Sequence, residues 1–304
     1  MSISRRRFLL LSSAAAASAP FARLRAQAPA SPRASSPTAF ESVRRNVGVF
    51  TGRGGTIGIL SNKDTLLVVD TQYPDTARVC LASVEQRAGR PVDLVFNTHH
   101  HVDHTAGNGV FRAHAKKIVA QRRVPDLQRT AYGTSGDPQT YADTTFDKTW
   151  SEHAGDERVT AKYYGPGHTG GDAIVHFERA HVVHMGDLIW IDIHPFIDRP
   201  GGASVQHWRT TVEAVAKEMP ADTIYIAGHA RAGHPVSVDR AALLKQRDYF
   251  DAALTHVRRG LQQHQSRDEI IALAALPGFE DYQSAPPRLS AAATLGAVYD
   301  ELTS

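Results

Sequence analysis

The sequence predicts an α/β fold with a single domain, and two observations lead to this prediction. Short apolar runs, typical of buried strands, alternate along the chain with stretches in which apolar residues recur at helical spacing. Such alternation is typical of sheets that are covered by helices. The 304 residues can bury one sizeable core or at most two domains, and no internal boundary stands out in the sequence.

Six apolar runs are predicted to be strands, at residues 65–70, 94–97, 117–120, 174–178, 182–186 and 224–227. The first run is followed by a helical pattern, which Asp75 is expected to cap at its amino terminus. Cys80 falls within this pattern and is expected to be a small buried hydrophobe. Because Cys80 is the only cysteine, no intramolecular disulfide can form.

Three further helices are predicted in the second half of the chain, at residues 204–219, 239–261 and 290–302. The longest of them has apolar side chains at a spacing that places them on one face: Leu243, Phe250, Leu254, Val257 and Leu261. A helix of this kind packs its apolar face against a core and turns its polar face to solvent.

The first thirty residues predict an export signal. Residues 4–9 (SRRRFL) resemble the twin-arginine motif, and the apolar stretch that follows is much shorter than the roughly 20 residues needed to span a bilayer. We expect cleavage after residues 28–30 (APA), or alternatively after residues 26–28 (AQA). The chain would then reach the periplasm or another exported compartment through the twin-arginine export machinery, without a stable membrane anchor. A merely basic, unstructured amino terminus is the alternative interpretation.

Residues 31–42 are rich in Ser, Pro and Ala and are interpreted as a linker, so that residues 43–304 form the domain with its carboxyl-terminal helices. Residues 1–30 contain five arginines and no lysine, aspartate or glutamate, so their removal takes the formal charge from +3 to −2. A nearly neutral mature chain gives no indication of nucleic-acid binding.

The densest group of metal-ligating residue types comes directly after the run at 94–97. Residues 98–108 read THHHVDHTAGN, so four imidazoles and one carboxylate occur within six residues. In a packed core each of these polar groups would need its own hydrogen-bond partner. Imidazole nitrogen and carboxylate oxygen are the ligands that suit zinc, and with other geometries iron or manganese. The segment therefore predicts a metal site on a loop.

This segment resembles the His-x-His-x-Asp-His motif of the metallo-β-lactamase superfamily. The motif fits when it begins at His99, because beginning at His100 would place Val102 where a ligand is required. His100 is then the variable position and is expected to point away from the metals. Three later motifs of the family follow in order, each next to an apolar run: GPGHTGGD at 165–172, HMGD at 184–187 and IAGH at 226–229.

The resemblance covers about residues 46–234 and implies a four-layer αββα sandwich, the metallo-β-lactamase fold. It also implies two zinc ions per chain, with seven protein ligands. The first metal would be held by His99, His101 and His168. The second would be held by Asp103, His104 and His229, with Asp187 as the bridge. Asp70 resembles an aspartate that orients a metal ligand from behind, although a simple turn residue is the alternative.

The same resemblance implies hydrolysis by a hydroxide that bridges the two metals, because bound cations lower the pKa of water from about 15.7 to about 7. Asp103 is the expected catalytic proton carrier to the leaving group. True β-lactamases of the family usually lack the bridging aspartate, whereas thioesterases of the glyoxalase II kind and lactonases have it. The predicted export out of the cytoplasm argues against a glutathione thioesterase. We therefore expect an exported enzyme that opens an ester, lactone or amide/lactam bond in a small-molecule substrate.

The segment after Asp187 is expected to form part of the pocket rim, and its candidate substrate-binding residues are Trp190, Ile191, His194 and Phe196. Ordinary loop packing is the alternative for all four. Eight other histidines are interpreted as surface or core-edge residues: His114, His153, His176, His181, His184, His207, His256 and His264.

Two other functions fit the same motifs. Some relatives bind one iron and oxygenate persulfides, and others hold two irons in electron-transfer proteins. The full ligand set argues against the first group, and the lack of an attached flavin domain argues against the second. The other candidate function is that of an exported, non-catalytic metal-binding accessory protein, whose ligand set could look identical.

Overall fold

The computed structural model describes residues 39–285 and 287–304. The twin-arginine segment and both candidate cleavage sites lie outside these residues and stay predictions. Seven strands form the first sheet, in which their spatial order equals their order in the chain. They are β1 (Ala39–Arg44), β2 (Val47–Thr51), β3 (Ile57–Ser61), β4 (Leu66–Val69), β5 (Leu94–Asn97), β6 (Lys117–Gln121) and β7 (Thr144–Phe146).

The remaining strands are β8 (Thr149–Ala154), β9 (Glu157–Tyr163), β10 (Ala173–Phe177), β11 (Val182–His184), β12 (Trp190–Ile191), β13 (Ile224–Ile226), β14 (His229–Ala230) and β15 (Ser237–Val238). The second sheet has the order β15-β13-β11-β10-β9-β8, and β12 pairs with β14 in a separate small ribbon. The helices are α1 (Pro74–Ala88), α2 (Val102–Thr105), α3 (Asn108–Arg112), α4 (Val124–Tyr132), α5 (Val205–Glu218), α6 (Arg240–Gln262), α7 (Arg267–Ile271) and α8 (Ala291–Thr303).

Alternation along the strands builds a layered core, because successive side chains of a strand point to opposite faces of its sheet. In β4, Leu66 and Val68 pack with α1, where Cys80 is fully buried as predicted, while Leu67 and Val69 pack against the second sheet. The far face of the second sheet is covered by α5, α6 and α8. The arrangement confirms the four-layer αββα sandwich.

The three predicted carboxyl-terminal helices are confirmed to within one or two residues at each end. Each begins after a residue whose side chain accepts a hydrogen bond from the first turn: Ser204, Asp239 and Ser290. The expectation that Asp75 caps α1 is wrong, because the residue before the helix is Tyr73. The helix begins at Pro74, whose fixed φ suits the first helical position. Asp75 lies in the first turn and forms an ion pair with Arg53.

The boundary expected at residue 43 is also wrong, because residues 39–42 already belong to β1. Ala39 pairs with Thr51 and Phe40 pairs with Phe50 across the ladder to β2. The ring of Phe40 also packs against the outer core, so this end of the expected linker is held in the sheet. None of the described helices has the length and the apolar character needed to span a lipid bilayer.

The strand directions bring all the motif residues to one edge of the sandwich. The β4–β5 pair and the β11–β13 pair are both parallel, so the carboxyl ends of the strands in each pair lie together. Antiparallel β9 and β10 add the loop between them, and the N–H of Ala173 donates to Thr98 O over 2.9 Å, which joins the two sheets at this edge. Residues far apart in the chain therefore meet here.

Candidate metal centre

Three groups of candidate metal-ligating side chains lie among the described residues at this edge. Two of them contain the predicted ligands: the first group consists of His99, His101, His168 and Asp187, and the second of Asp103, His104 and His229. The third consists of His100, His101 and Asp198. Within each group the candidate ligand atoms lie within 4.8 Å of one another. All seven residues that the sequence analysis selected as metal ligands are thus brought together.

Asp187 lies between the two groups. Its Oδ2 atom is 3.3 Å from the Nε2 atom of His168 and 3.3 Å from the Nε2 atom of His229. Its Oδ1 atom is 3.0 Å from the Nε2 atom of His104. One carboxylate therefore faces imidazoles of both groups, as a bridging ligand must.

The far-side contacts of the imidazoles determine which nitrogen faces inward. The Nδ1 atom of His168 lies 2.8 Å from Phe196 O, and the Nε2 atom of His101 lies 3.0 Å from a carboxylate oxygen of Asp198. Both partners are acceptors, so these nitrogens carry the protons. The other nitrogens, His101 Nδ1 and His168 Nε2, then direct lone pairs at each other across 2.9 Å. Facing lone pairs at this distance require a cation or a proton between them.

Asp70 organises ligands of both groups from behind. Its Oδ2 atom lies 2.7 Å from His104 Nδ1 and accepts from the hydroxyl of Thr98, while Oδ1 accepts from the Thr98 N–H. The Thr98 hydroxyl is in turn 3.0 Å from His99 Nδ1. Asp70 is fully buried and has a positive φ of 64°, a conformation that is uncommon outside glycine and is found at functional sites. These contacts are the ones that an orienting residue would make, and the orienting role of Asp70 stays a prediction.

The donor set fits divalent cations. The Nε2 atom of His99, in the first group, is buried without a hydrogen-bond partner among the described residues. Neutral imidazoles and carboxylates are the ligands that zinc takes in proteins. A bound cation would satisfy the inward lone pairs that the protein itself leaves without donors.

The electrostatics of the two groups differ. Burial lowers the pKa of His168 to about 3, so this ring is neutral at physiological pH. Burial also acts to lower the pKa of His229, but the carboxylates of Asp187 and Asp103 outweigh it and raise this pKa to about 9. For Asp187, burial is outweighed by His229, His104 and His99, which hold its pKa well below the usual range. Metal binding at the second group therefore competes with a proton, and its affinity should fall as the pH falls.

Two glycines leave the space that these ligands occupy. A Cβ atom at Gly228 would lie 2.0 Å from Asp187 Oδ1, and one at Gly55 would lie 2.1 Å from the His104 ring. Real Cβ atoms do not approach so closely, so either Cβ atom would displace a ligand.

We expect Gly228→Ala to weaken metal binding by about tenfold or more, because its Cβ would push Asp187 out of line with both groups. Overpacking should also lower the free energy of unfolding by about 1–3 kcal/mol. Competition titration with a zinc chelator measures the first effect and denaturant unfolding the second. Gly109→Ala in the exposed part of α3 is the control, because its Cβ would come no closer than 3.2 Å to its nearest neighbour, a hydroxyl. Equal metal affinity in both variants would contradict the crowding argument.

The four candidate pocket residues are placed differently from one another. The Trp190 ring stacks on His229 at 4.4 Å and its Nε1 atom donates to Asp187 O, so it supports two of the ligating residues. The Phe196 ring lies 5.5 Å from the ring of His101. Ile191 pairs with Ala230 in the small ribbon, and His194 Nδ1 lies 2.7 Å from the hydroxyl of Tyr249. A substrate-binding role stays a prediction for all four.

Three residues near the centre were not recognised in the sequence analysis. Asp198 lies within hydrogen-bond distance of His101, and its Oδ2 atom is also 3.4 Å from His100 Nε2. His100 is therefore outside the two groups that hold the seven predicted ligands and lies in the third group, with His101 and Asp198. Thr98 links Asp70 to His99. The interpretation of His184 as a surface or core-edge residue is wrong, since it is fully buried, whereas the other seven histidines of that set are exposed or partly buried. Of these three residues, only Asp198 had a signal in the sequence, namely its position in the segment after Asp187 that was expected to form part of the pocket rim.

Comparisons with known proteins agree with this geometry. The profile described as "Metallo-beta-lactamase superfamily" matches residues 50–229. A hydroxyacylglutathione hydrolase of Brucella anthropi is 26% identical over 216 residues, which are 67% of this chain and 74% of that protein. A type 2 metallo-beta-lactamase of Bacillus cereus is 24% identical over 211 residues, 68% of this chain and 77% of its own.

Solved structures show the same fold. A metallo-beta-lactamase from Pontibacter korlensis superposes with a TM-score of 0.59 at 16% identity, over 71% of this chain and 99% of its own. An inverting sec-alkylsulfatase from Pseudomonas sp. superposes with a TM-score of 0.69 at 16% identity, over 86% of this chain but only 50% of its own length. The chain belongs to the metallo-beta-lactamase superfamily and is a metal-dependent hydrolase.

Proposed function

We propose that the chain is a dinuclear zinc hydrolase that opens an ester, lactone or amide/lactam bond of a small molecule in an exported compartment. The observation that carries this proposal is the position of Asp187, whose two oxygens face imidazoles of both ligand groups. A single buried carboxylate between two sets of inward lone pairs suits a pair of cations better than one. The proposed export is supported by the arginine-rich segment at residues 4–9 alone.

In this proposal His99, His101 and His168 would hold one zinc ion, Asp103, His104 and His229 would hold the other, and Asp187 would serve both. Zinc ions in such a site supply Lewis acidity toward the substrate oxygen and lower the pKa of coordinated water. The protein fixes the ring orientations through Asp70, Asp198 and Phe196 O, so little reorganisation is needed when the substrate arrives.

Asp103 is the residue best placed to move a proton. Its Oδ2 atom faces His229 at 3.2 Å, and about a quarter of its side chain is exposed, in contrast to the almost fully buried Asp187. Its second oxygen can therefore accept a proton from the attacking water and pass it to the leaving group. Burial acts to raise the pKa of Asp103, but His104 and His229 outweigh it and lower this pKa, so the carboxylate is ionised before any proton transfer.

The relatives and Asp187 together support the proposed substrate class. The similar proteins include a hydroxyacylglutathione hydrolase and metallo-beta-lactamases, so we take thioesters and lactams as candidate substrates beside lactones. An aspartate at the position between the metals is the feature that favours a thioester or lactone over a lactam.

We expect the purified, processed chain to hydrolyse at least one of three reporters: nitrocefin, a simple lactone and an acyl thioester. Activity should disappear after treatment with a strong chelator and return when zinc is added, because the proposed reaction depends on the bound metal ions. The exposed His153→Ala variant serves as the unaffected control. A zinc-loaded chain inert toward every reporter would favour the accessory-protein alternative, and iron content with oxygen uptake would favour the oxygenase.

A further inference from the structure

A closed ring of hydrogen bonds adjoins the metal centre. The N–H and the hydroxyl of Thr56 both donate to Gly228 O, over 2.8 and 3.1 Å, and the Gly228 N–H donates to Gly186 O over 2.8 Å. The Gly186 N–H donates to His184 Nδ1 over 3.1 Å, and His184 Nε2 lies 3.1 Å from Thr56 O, which closes the ring. The ring joins the residue before β3 in one sheet to the turns that follow β11 and β13 in the other.

Both nitrogens of His184 are used in this ring. Because Nδ1 accepts from a backbone N–H, the proton of the neutral imidazole is on Nε2 and is donated to Thr56 O. The imidazole of His184 is fully buried, and the lack of a side chain at Gly58 leaves space for it. A Cβ atom at Gly58 would lie 2.6 Å from His184 Cδ2. An apolar side chain would fill the same space, so core packing alone does not require a histidine here.

The two glycines of the ring each precede a candidate ligand. Gly186 is followed by Asp187, and Gly228 by His229. Gly186 has a positive φ of 52°, which makes the sharp turn that directs Asp187 inward. The ring therefore fixes the separation of the two ligand-bearing turns.

We infer that His184 is a positioning residue of the metal centre: by tying the Gly186 turn to Thr56, it fixes Asp187 against His229 and so sets the affinity of the second metal position. This inference rests on the proposed metal centre and goes beyond it by giving a role to a residue that makes no contact with a metal ion.

Three substitutions separate the contacts that His184 makes. His184→Phe keeps the ring volume but removes both hydrogen bonds. His184→Asn places a polar atom near the Nδ1 position and can still accept from Gly186. His184→Gln places one near the Nε2 position and can still donate to Thr56 O. His176→Phe is the matched control, because this partly buried histidine lies on β10 opposite Val183 in the same sheet but contacts no ligand-bearing turn.

The readouts are zinc affinity, by competition with a chromophoric chelator, and the absorption spectrum of the Co²⁺-substituted protein. We expect His184→Phe to weaken the second zinc by about tenfold to a hundredfold and to alter the Co²⁺ spectrum. His184→Asn and His184→Gln should each recover part of the loss, and His176→Phe should leave zinc affinity unchanged. If His184→Phe fails to fold, the Asn and Gln variants carry the same test.

Two results would overturn the inference, and they are distinguishable. Two zinc ions bound equally tightly by the wild-type chain and all three His184 variants would remove the role of His184 but leave the metal centre intact. Fewer than two zinc ions in the wild-type chain would contradict the metal centre itself and the positioning role with it.

Discussion

Asp187→Ala is expected to lose the second metal and to reduce kcat/KM by about a thousandfold or more. The carboxylate faces imidazoles of both groups, and without it the lone pairs of His104, His168 and His229 lose their shared partner. A metal contributes several kcal/mol to the transition state, and each 1.36 kcal/mol is a factor of ten in rate. Metal analysis of the dialysed protein and steady-state kinetics measure the two effects.

The control for this variant is Asp137→Ala, which removes an exposed carboxylate from the loop after α4. It should bind metal and turn over substrate like the wild-type chain. Unchanged metal stoichiometry and turnover in Asp187→Ala would refute the bridging role.

The second large effect is expected at Asp70, which touches no metal in the proposed site. Asp70→Ala should weaken metal binding by about tenfold to a hundredfold, because His104 and the Thr98–His99 pair lose the acceptor that orients them. The free energy of unfolding of the metal-free protein should also fall by about 3–5 kcal/mol, since buried donors are left without their charged partner. Zinc competition and denaturant unfolding measure these quantities.

Asp70→Asn separates geometry from charge. Asparagine tolerates the left-handed φ of 64° better than alanine and keeps one accepting oxygen, so we expect an intermediate loss of metal affinity. Asp248→Ala, on the exposed surface of α6, is the control for a lost aspartate. Equal zinc affinity in Asp70→Ala and the wild-type chain would show that Asp70 is only a turn residue.

Much of the centre could be predicted from sequence because its ligands come in short motifs directly after apolar strands. His99, His101, Asp103 and His104 lie within six residues, and Asp187 and His229 each follow a glycine at a strand end. A buried strand is recognisable from a few apolar residues, and parallel pairing then sends its carboxyl end to the common edge.

The parts that were missed depend on contacts between distant residues. Asp198 lies 97 positions from His101, and no local pattern marks its approach. The buried position of His184 is set by the space at Gly58, in the other sheet, and by one acceptor, Thr56 O, just before that strand. Strands β8 and β9 were not predicted because their exposed faces are polar, which leaves no continuous apolar run.

The most direct test of the central claim is the number of metal ions per chain in the purified, processed protein, measured by elemental analysis beside the Asp187→Ala variant. The account predicts two zinc equivalents in the wild-type chain and at most one in the variant. A single metal ion in both proteins would contradict a dinuclear centre bridged by Asp187.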